Sequence, residues 1–413
     1  MHILLLIIQY PPDTNPTGNL MAQVVDGLRE RGHMVDVITA FPHYAQFQIE
    51  AAYRGRLAQR TVEVGGDVLR LWVYASGTKQ RMLHRLVSYL SFNLLAALFG
   101  IIQRRRYDVI LAPNGSFFTG LAAAAIGAIS GTPFVYNVQD LYPEVPVQAG
   151  QLTNRYAIAG MERLERLMYR LAAAVSVIAP SFERSLQAKG VPPAKVQLIP
   201  NFVDTAFIRP LPRSNALRDS LNYSDKFVVC YAGNLGYVYD LQSLLDAAAL
   251  LVDHPHIQFL IVGEGVNKPD LERRARELKL PNLRFLPFLP RDQLPWLRAM
   301  ADVQVALHLP GTTGYSLPSK IYEIMASGRP LLASADPGSD VATFIEQAGC
   351  GICLPPGQPH MLAQAILSLE ADPGLRSSYG QRGRQYAEQY LARSIVTDQY
   401  EHLLARVAAI PTV

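Results

Sequence analysis

The segment with the clearest chemical character is a glycine-rich loop, LPGTTGYSLPS, that leads into a short predicted helix. Lys320 falls in the first turn of this helix, where the helix dipole disfavours a cation. A phosphate bound at the same place would remove that penalty. Glu323 follows on the same side, and its two oxygens could bind the vicinal hydroxyls of a ribose. The pattern predicts a nucleotide diphosphate site that includes Ser319, although either charged residue alone could simply face solvent.

Two further glycine turns in the same half of the chain are candidate diphosphate contacts. In YAGNLG, Gly236 permits a tight backbone and Asn234 offers an amide, and the following helix would add the positive potential of its N-terminus. Glu264 lies in the turn VGEG at the end of another predicted strand. We therefore predict that Asn234, Gly236 and Glu264 contact the same ligand as Lys320.

Polar residues also follow two predicted strands in the first half. Gly18 precedes a helix predicted from about Asn19, where backbone N–H groups could approach a phosphate or sugar. A plain turn is the alternative. Gln139, Asp140 and Glu144 follow the strand FVYNV, at a sheet edge where ligand sites form. A carboxylate there could orient a hydroxyl or accept its proton, or Asp140 could cap a helical turn.

Residues 79–106 carry six basic residues and no acidic one, on both sides of an uncharged stretch at residues 86–102. The stretch is at the lower limit for a membrane span. Its pattern favours an amphipathic helix on an anionic membrane surface. The alternative is a helix packed on the first sheet with its arginines in solvent. The predicted membrane contacts are Arg81, Arg85, Arg104, Arg105 and Arg106.

The elements that must position these residues alternate between short apolar strands and helical patterns. The predicted strands are Ile3–Ile8, Val35–Thr39, Val109–Ala112, Phe134–Val138, Val175–Ala179 and Val196–Ile199, then Phe227–Ala232, Ile257–Val262, Leu283–Phe285, Val303–Leu307 and Leu331–Ala333. Such alternation is typical of parallel sheets covered by helices. Two series predict two doubly wound α/β domains, joined by a linker at residues 201–222.

Composition agrees with this organisation and excludes several classes. A chain of 413 residues with 49% hydrophobic residues is long and apolar enough for two cores. The net charge of +4 argues against a dedicated nucleic-acid binder. Few cysteines, and no basic residue before the short apolar run at the start, predict a cytoplasmic protein. Cys350 and Cys353 form a CxxC without a second pair, read either as core cysteines or as a redox or zinc site.

Taken in order along the chain, seven segments resemble the family-4 retaining glycosyltransferases of the GT-B fold. They are the Gly18 loop, LRERGHMVDVIT, VQDLYPE, LIPNFVD, YAGNLG, VGEG and SKIYEIMASGRPLLAS. The resemblance implies two Rossmann-like domains facing a cleft. Residues 1–204 would bind the acceptor, residues 205–388 the nucleotide sugar, and residues 389–413 would form a helix that returns to the first domain. It also implies catalytic roles for Asp140, Lys320 and Glu323.

The sequence departs from the family pattern at three places. Many members have two glutamates eight residues apart, an Arg and a Lys that bind the diphosphate, and a His before the Asp that corresponds to Asp140. The residues found instead are Tyr315, Asn234, Tyr239 or Asp240, and Gln139. These changes resemble a bacterial exopolysaccharide and O-antigen subgroup with GNxG and PSK, in which Lys320 would be the main cation on the donor. No Asp-x-Asp motif occurs, so we expect no metal and no other cofactor.

The leading hypothesis is an enzyme that moves a sugar from a nucleotide sugar, with UDP favoured, to a lipid-linked or glycan hydroxyl. It would act at the inner face of the cytoplasmic membrane in cell-surface polysaccharide biosynthesis, with no nucleic-acid partner. One alternative is a GT-B nucleotide-sugar 2-epimerase, which would need acid/base carboxylates and histidines around the donor sugar. The other is a non-catalytic partner subunit that kept the fold.

Overall fold

A computed structural model describes residues 1–13, 15–44, 47–77, 82–103, 107–148, 150, 152–312 and 319–410. The chain divides into two compact units. Unit 1 comprises Met1–Asn201 and Arg393–Val413, and unit 2 comprises Phe202–Ala392. The chain therefore crosses between units at 201–202 and 392–393, where the sequence analysis puts the crossings at 204–205 and 388–389.

Unit 1 is built on one mostly parallel sheet. Its strands are β1 (His2–Leu6), β2 (Met34–Ala40), β3 (Ala58–Glu63), β4 (Gly66–Leu71), β5 (Val109–Pro113), β6 (Phe134–Val138), β7 (Ala174–Val177) and β8 (Val196–Leu198). Their spatial order is β3-β4-β2-β1-β5-β6-β7-β8, and β3 runs antiparallel to β4. The six strands predicted for this half are confirmed. The sequence analysis missed β3 and β4 because β3 is a polar, largely exposed edge strand without an apolar run.

Among the described residues of the first part of unit 1, six helices accompany the strands, and two of them, the first and the fifth, begin at an asparagine cap. The six helices are α1 (Pro16–Glu30), α2 (Met82–Ile102), α3 (Thr119–Ser130), α4 (Glu144–Gln148), α5 (Arg155–Leu171) and α6 (Pro180–Ala188). The Asn15 side chain accepts the Gly18 N–H at the start of α1, and Asn154 accepts two N–H groups at the start of α5. Asparagine at this position satisfies donors that a helix start leaves unpaired.

Unit 2 contains a second sheet in which every strand is parallel to its neighbours. Its strands are β9 (Phe227–Ala232), β10 (Ile257–Val262), β11 (Leu283–Leu286), β12 (Val303–Leu307), β13 (Leu331–Ser334) and β14 (Gly351–Leu354). The order is β11-β10-β9-β12-β13-β14, so the strand order reverses between β9 and β12. In unit 1 the same reversal lies between β1 and β5. Ligands bind doubly wound sheets at the carboxyl ends of strands that flank such a reversal.

The helices of unit 2 are α7 (Ala216–Ser220), α8 (Leu241–Leu250), α9 (Lys268–Glu277), α10 (Leu294–Met300), α11 (Lys320–Ala326), α12 (Asp340–Ala348), α13 (Pro359–Ala371) and α14 (Pro373–Tyr390). The predicted linker therefore contains a helix, α7. Burial raises the pKa of the Cys350 thiol to about 12, and that of Cys353 to about 11. Both thiols are free, and no three metal-ligating side chains come together among the described residues. The CxxC therefore consists of two protonated cysteines in unit 2.

The last helix, α15 (Arg393–Ala408), belongs to unit 1. Arg31 forms ion pairs with Asp398 and Glu401 of this helix. The Tyr400 hydroxyl is buried in unit 1, where it accepts a hydrogen bond from the Asn137 amide at 3.1 Å. These contacts fix α15 beside α1 and the central strands.

Candidate active site

Lys320 is the first residue of α11, and its amine lies where β9 and β12 end. Its Nζ donates a hydrogen bond of 2.7 Å to the Tyr231 hydroxyl. The same Nζ is 4.1 Å from the centre of the Tyr231 ring and 3.7 Å from that of Tyr239. The Tyr231 hydroxyl in turn donates to the Asn234 carbonyl at 2.7 Å. The amine is thus held by two aromatic rings and connected to the predicted YAGNLG turn.

The surroundings of Lys320 favour binding of an anion. Burial lowers the pKa of Lys320 well below its usual value; Arg298 lowers it further, and Glu323 opposes the shift. Burial also lowers the pKa of the nearby His308 imidazole to about 4, with Lys320 acting in the same direction. An ammonium group has three donors, and the described residues accept only one of them. No carboxylate in the described ranges lies within ion-pair distance of Nζ, so a phosphate oxygen would be a favourable partner.

Glu323 lies one turn further along α11 and is fixed by a buried arginine. Its Oε2 is 2.6 Å from the Arg298 guanidinium, which also donates to Gln304 Oε1 at 2.7 Å. The Glu323 side chain remains 31% exposed, whereas that of Arg298 is 4% exposed. The second oxygen, Oε1, has no hydrogen-bond partner in the described part of the chain. One carboxylate oxygen is therefore anchored and the other is available to a ligand.

The glycine turns after β9 and β10 pack backbone against backbone. A Cβ on Gly263 would lie 1.9 Å from the Gly233 carbonyl oxygen, so a side chain cannot be accommodated there. This contact brings the turn of Asn234 and Gly236 against that of Glu264, as the Leu235 N–H bond to the Glu264 carbonyl also shows. Asn234 is exposed in its turn. Close packing of the two turns therefore explains Gly263 and Gly265.

Two of the predicted contacts on unit 2 have partners of their own. Glu264 Oε1 is 2.7 Å from Lys268 Nζ at the start of α9. The start of α8, predicted to supply positive potential, is capped by Asp240, which accepts the Ser243 N–H at 3.2 Å. Among the described residues of these three segments, Lys320 is therefore the basic group left for a diphosphate. Ser319 is exposed next to it, while Tyr315 lies outside the described residues.

In unit 1, Asp140 follows β6 at the same edge of the sheet as the ends of β1 and β5. The buried Asn114 holds its backbone: Asn114 Nδ2 donates to the Asp140 carbonyl at 2.6 Å, and Oδ1 accepts the N–H groups of Gln139 and Asp140. Burial raises the pKa of the Asp140 carboxyl. Its carboxylate makes no hydrogen bond to any residue that the structure describes. Asp140 is thus a positioned acceptor without a partner.

The other two residues predicted beside Asp140 point elsewhere. Gln139 is buried, and its amide donates to Asn137 Oδ1 at 2.8 Å inside unit 1. Glu144 Oε1 forms an ion pair with Lys189 at 2.7 Å, and Lys189 also binds the buried Glu165 at 2.7 Å. Because both side chains are engaged within the protein, Asp140 is the member of this group that a hydroxyl could reach.

Gly18 differs from the prediction in its local structure. The helix α1 begins at Pro16 rather than near Asn19, because Asn15 caps it and proline suits the first position. Gly18 therefore lies in the first turn of the helix, and its N–H already donates to Asn15 Oδ1 at 3.1 Å. A Cβ here would lie 2.5 Å from the Gln9 carbonyl oxygen. Close packing of α1 on the end of β1 explains the glycine without a ligand.

The sequence analysis missed a buried histidine at the same edge of unit 1. Asp13 Oδ2 accepts the backbone N–H of His43, and His43 Nδ1 donates to the Phe41 carbonyl at 2.8 Å. Because a carbonyl can only accept, this bond fixes the proton of neutral His43 on Nδ1. Burial lowers the pKa of His43. A histidine four residues after the predicted strand Val35–Thr39, in the segment TAFPHY, was the available signal.

The helix α2 has an unusual distribution of polarity. Polar side chains face the protein: Asn93 donates to Ser116 Oγ at 2.8 Å, and Ser91 accepts the Tyr74 N–H at 2.9 Å. The opposite face is apolar and exposed, with Leu94 70% exposed and Leu83 66% exposed. The other exposed apolar residues of α2 are Leu86, Val87, Leu90, Leu98 and Ile102. We call these seven residues the α2 stripe.

The segment Leu83–Ile102 is long and apolar enough to cross a membrane, with a mean hydropathy of 1.7, and 28% of it is buried within the protein. Of the predicted membrane-contact arginines, Arg85 is described and is exposed near the start of α2. Burial raises the pKa of the Tyr89 hydroxyl. The charge of Arg85 opposes this shift, whereas Asp140 and Tyr44 add to it. Tyr89, in the first half of α2, therefore lies within range of the charges of both Arg85 and Asp140. Arg81, Arg104, Arg105 and Arg106 lie outside the described residues.

Comparison with known proteins agrees with this architecture. A glycosyl transferase 4-like domain model matches residues 17–201, and a glycosyl transferases group 1 model matches residues 213–386. The putative colanic acid biosynthesis glycosyl transferase WcaI of Escherichia coli (strain K12) is 28% identical over 97% of this chain and 98% of its own length. The probable glycosyltransferase WbjE of Pseudomonas aeruginosa is 26% identical over 71% of this chain and 74% of its own length.

Solved structures share the fold at lower identity. Sucrose-phosphate synthase from Thermosynechococcus elongatus has a TM-score of 0.75 at 19% identity, with both chains covered to 100%. Anabaena HepE in complex with UDP-glucose has a TM-score of 0.71 at 18% identity, covering 98% of this chain and 100% of that chain. The chain belongs to the GT-B-fold glycosyltransferases, with a glycosyl transferase 4-like domain in unit 1 and a glycosyl transferases group 1 domain in unit 2.

Proposed function

We propose that this glycosyltransferase moves a sugar from a nucleotide diphosphate sugar, with UDP as the favoured nucleotide, to a hydroxyl of a lipid-linked saccharide or glycan, with retention at the anomeric carbon. The observation that carries the proposal is the buried Lys320 amine at the strand reversal of unit 2, with no carboxylate at ion-pair distance among the described residues. Support for UDP comes from HepE, which shares the fold and was solved with UDP and with UDP-glucose.

In the proposed reaction each positioned group has one task. Lys320 binds the diphosphate, and the free oxygen of Glu323 accepts hydrogen bonds from the ribose hydroxyls. The bond between the anomeric carbon and the diphosphate oxygen breaks as the acceptor oxygen approaches from the same face. The acceptor proton passes to the departing phosphate oxygen, and Lys320 stabilises the negative charge that develops there. Asp140 orients the acceptor hydroxyl and forms no covalent bond to the sugar.

The proposal includes transfer without a metal ion. Lys320 and the backbone of the Asn234 turn would neutralise the leaving diphosphate, a task that Mg²⁺ or Mn²⁺ performs in metal-dependent transferases. Turnover should be unchanged in EDTA. Loss of turnover in EDTA followed by recovery with Mn²⁺ would contradict this part of the proposal.

The names of related proteins suggest a role in cell-surface polysaccharide synthesis. WcaI is named for colanic acid biosynthesis, and LpsE of Rhizobium meliloti, 25% identical over 51% of this chain, for lipopolysaccharide core biosynthesis. Acceptors in such processes are saccharides attached to lipids or to growing glycans. We therefore propose that this enzyme acts on a hydroxyl of that kind.

Peripheral attachment at the inner face of the cytoplasmic membrane is the proposed location. The α2 stripe would enter the lipid interface, and basic residues at 79–106 would each add about 1 kcal/mol near an anionic leaflet before salt screening. The hydrogen bonds of Asn93 and Ser91 hold the polar face of α2 within unit 1. A spanning helix would have to break them, so we propose that α2 lies on the membrane.

Sedimentation with phosphatidylglycerol vesicles tests this location. Wild-type protein should sediment at low salt and less at high salt, and Leu90→Ser/Leu94→Ser/Leu98→Ser should weaken binding. Replacement of the five predicted arginines with glutamine should weaken it as well. Ile129→Ser, at an apolar residue 67% exposed on α3, is the matched control. Wild-type protein that stays in the supernatant at low salt would exclude peripheral attachment.

The activity is tested by incubating the protein with nucleotide sugars and membrane extract. We expect UDP release from one UDP-sugar, dependent on extract, and its loss in Lys320→Ala. Formation of an epimeric sugar nucleotide would instead identify an epimerase. Failure to bind UDP in a calorimetric titration would indicate a non-catalytic subunit.

A further inference from the structure

A basic cavity of about 480 Å³ lies in unit 1. It is lined by α5 and by the segment that connects α6 to β8. Arg170 stands near the end of α5, shortly before β7, and Lys195 directly precedes β8. The cavity is therefore at the edge of the sheet where β7 and β8 begin, whereas Asp140 lies at the edge where β6 ends.

Five cationic residues line the cavity, and no acidic side chain is among its lining residues in the described part of the chain. Arg163, Arg166 and Arg170 are three and seven residues apart on α5, a spacing that puts them on one face of the helix. Like charges at this spacing repel each other. The arrangement is therefore unfavourable unless something negative compensates for it.

The cations are only partly neutralised by the protein. Lys189 is fully engaged, at 2.7 Å from both Glu144 and Glu165. Arg166 approaches Glu162 at 3.8 Å, where both side chains are about half exposed and the pair is weak. The guanidinium groups of Arg163 and Arg170 have no acidic or hydrogen-bonding partner among the described residues.

Lys195 adds a further positive charge to the lining of the cavity. Its Nζ donates to the Arg170 carbonyl at 2.8 Å, and burial lowers its pKa. A carbonyl supplies a hydrogen bond but no full negative charge. The amine is therefore held toward Arg170 and would gain from an anion placed between them.

We propose that this cavity binds a phosphate-bearing anion through Arg163, Arg170 and Lys195. A guanidinium group can donate two parallel hydrogen bonds to the oxygens of one phosphate. These charge-assisted hydrogen bonds are about twice as strong as neutral ones. A cavity of this volume accommodates a group as large as a diphosphate ester. The group could belong to a soluble diphosphate or to the headgroup of an anionic phospholipid. The site is independent of the donor site on unit 2.

Titration with inorganic diphosphate tests the site directly. Diphosphate could also bind at Lys320, so the titration is made in wild-type protein and in Lys320→Ala. A site that persists in Lys320→Ala and weakens at least about tenfold when Arg163→Gln/Arg170→Gln is added supports the cavity. Arg155→Gln, at an exposed arginine near the start of the same helix, is the control and should leave the affinity unchanged.

Two results would overturn the proposal. One is the absence of diphosphate binding in Lys320→Ala. The other is an affinity that Arg163→Gln/Arg170→Gln does not change, with circular dichroism showing that the variant is folded. Neither depends on whether unit 2 binds UDP, which a separate UDP titration decides.

The source of the phosphate is decided by vesicles. Sedimentation with phosphatidic acid vesicles, compared with phosphatidylcholine vesicles, is measured for wild-type protein and for Arg163→Gln/Arg170→Gln. Weaker binding of the variant to phosphatidic acid identifies a lipid headgroup. Equal binding of both proteins, together with a diphosphate affinity that the substitutions lower, identifies a soluble ligand.

Discussion

The polar groups around Lys320 in unit 2 and those around Asp140 in unit 1 are held in different ways. Lys320 and Glu323 are fixed through their side chains, by Tyr231 and Arg298 respectively. Asp140 is fixed through its backbone by Asn114, and its carboxylate has no hydrogen-bond partner in the described ranges. The difference suggests that unit 2 is preorganised for a ligand of fixed shape, the nucleotide diphosphate. For unit 1 we propose instead that the Asp140 carboxylate adjusts to the hydroxyl of an acceptor.

The largest effect is expected from Lys320→Ala. Loss of the cation that faces the developing charge should reduce turnover by a factor of about 10² to 10³, typical for one electrostatic contact to a transition state. Extract-dependent UDP release measures this effect. Lys279→Ala, at an exposed lysine of the same unit, is the matched control. Normal turnover of Lys320→Ala would show that Lys320 does not stabilise the leaving diphosphate, and that the preorganised groups of unit 2 serve another purpose.

A smaller loss is expected from Asp140→Asn. The neutral amide would orient the acceptor hydroxyl less strongly than the carboxylate, because a hydrogen bond to a charged group contributes about 1.5–3 kcal/mol, a factor of about 10 to 10² in turnover. The affinity for UDP, measured by calorimetry, should not change, because Asp140 is in unit 1. If Asp140→Asn lost UDP binding but kept its turnover number, unit 1 would bind the nucleotide, and its assignment to the acceptor would be wrong.

Glu323→Gln should raise the dissociation constant of UDP by about tenfold, since the ribose hydroxyls lose a charged acceptor. The amide can still accept a hydrogen bond from Arg298, so the fold should persist. Glu346→Gln, at an exposed glutamate of α12, provides the control. Equal UDP affinities of Glu323→Gln and wild-type protein would show that the free oxygen of Glu323 does not contact the nucleotide.

The smallest expected effect is a proton taken up when UDP binds. The pKa of Lys320 is lowered in the free protein, chiefly by burial, and a bound diphosphate would raise it. Between these two pKa values the free amine is neutral and the bound amine is charged. Affinity should therefore stay constant below the pKa of the free protein, fall as pH rises between the two pKa values, and level off above the pKa of the complex.

Calorimetry in buffers of different ionisation enthalpy measures this proton. The phosphate's own second ionisation, with a pKa near 6, is complete above about pH 8. At a pH above that value and below the usual lysine pKa of about 10.4, wild-type protein should show buffer-dependent heats, and Lys320→Met should not. Identical heats in all buffers throughout this range would contradict a lowered pKa of Lys320 in the free protein.

The sequence predicts those parts of the fold and site that depend on neighbours along the chain. Strand–helix alternation predicted eleven strands correctly, and one helical turn separates Lys320 from Glu323. The missed edge strand β14 begins with a glycine and is only four residues long, too short for a clear period. The start of the first helix was predicted too late, and Gly18 was therefore put before the helix, because the Asn15 cap starts the helix earlier than the apolar pattern indicates.

The remaining site residues are brought together by folding alone. Tyr231 binds an amine 89 residues away, and Asn114 holds a backbone 26 residues away. No period or motif relates such pairs. The hydrogen bond from the Gln139 amide to Asn137 was missed for a different reason. The sequence shows that Gln139 follows a strand, but not the direction in which its side chain points.

The central claim, that unit 2 holds the nucleotide at Lys320, is tested most directly by a crystal structure of the protein with UDP. The account predicts diphosphate oxygens within about 3.2 Å of Lys320 Nζ and ribose hydroxyls on the free oxygen of Glu323. UDP bound in unit 1, or on unit 2 away from the ends of β9 and β12, would contradict it.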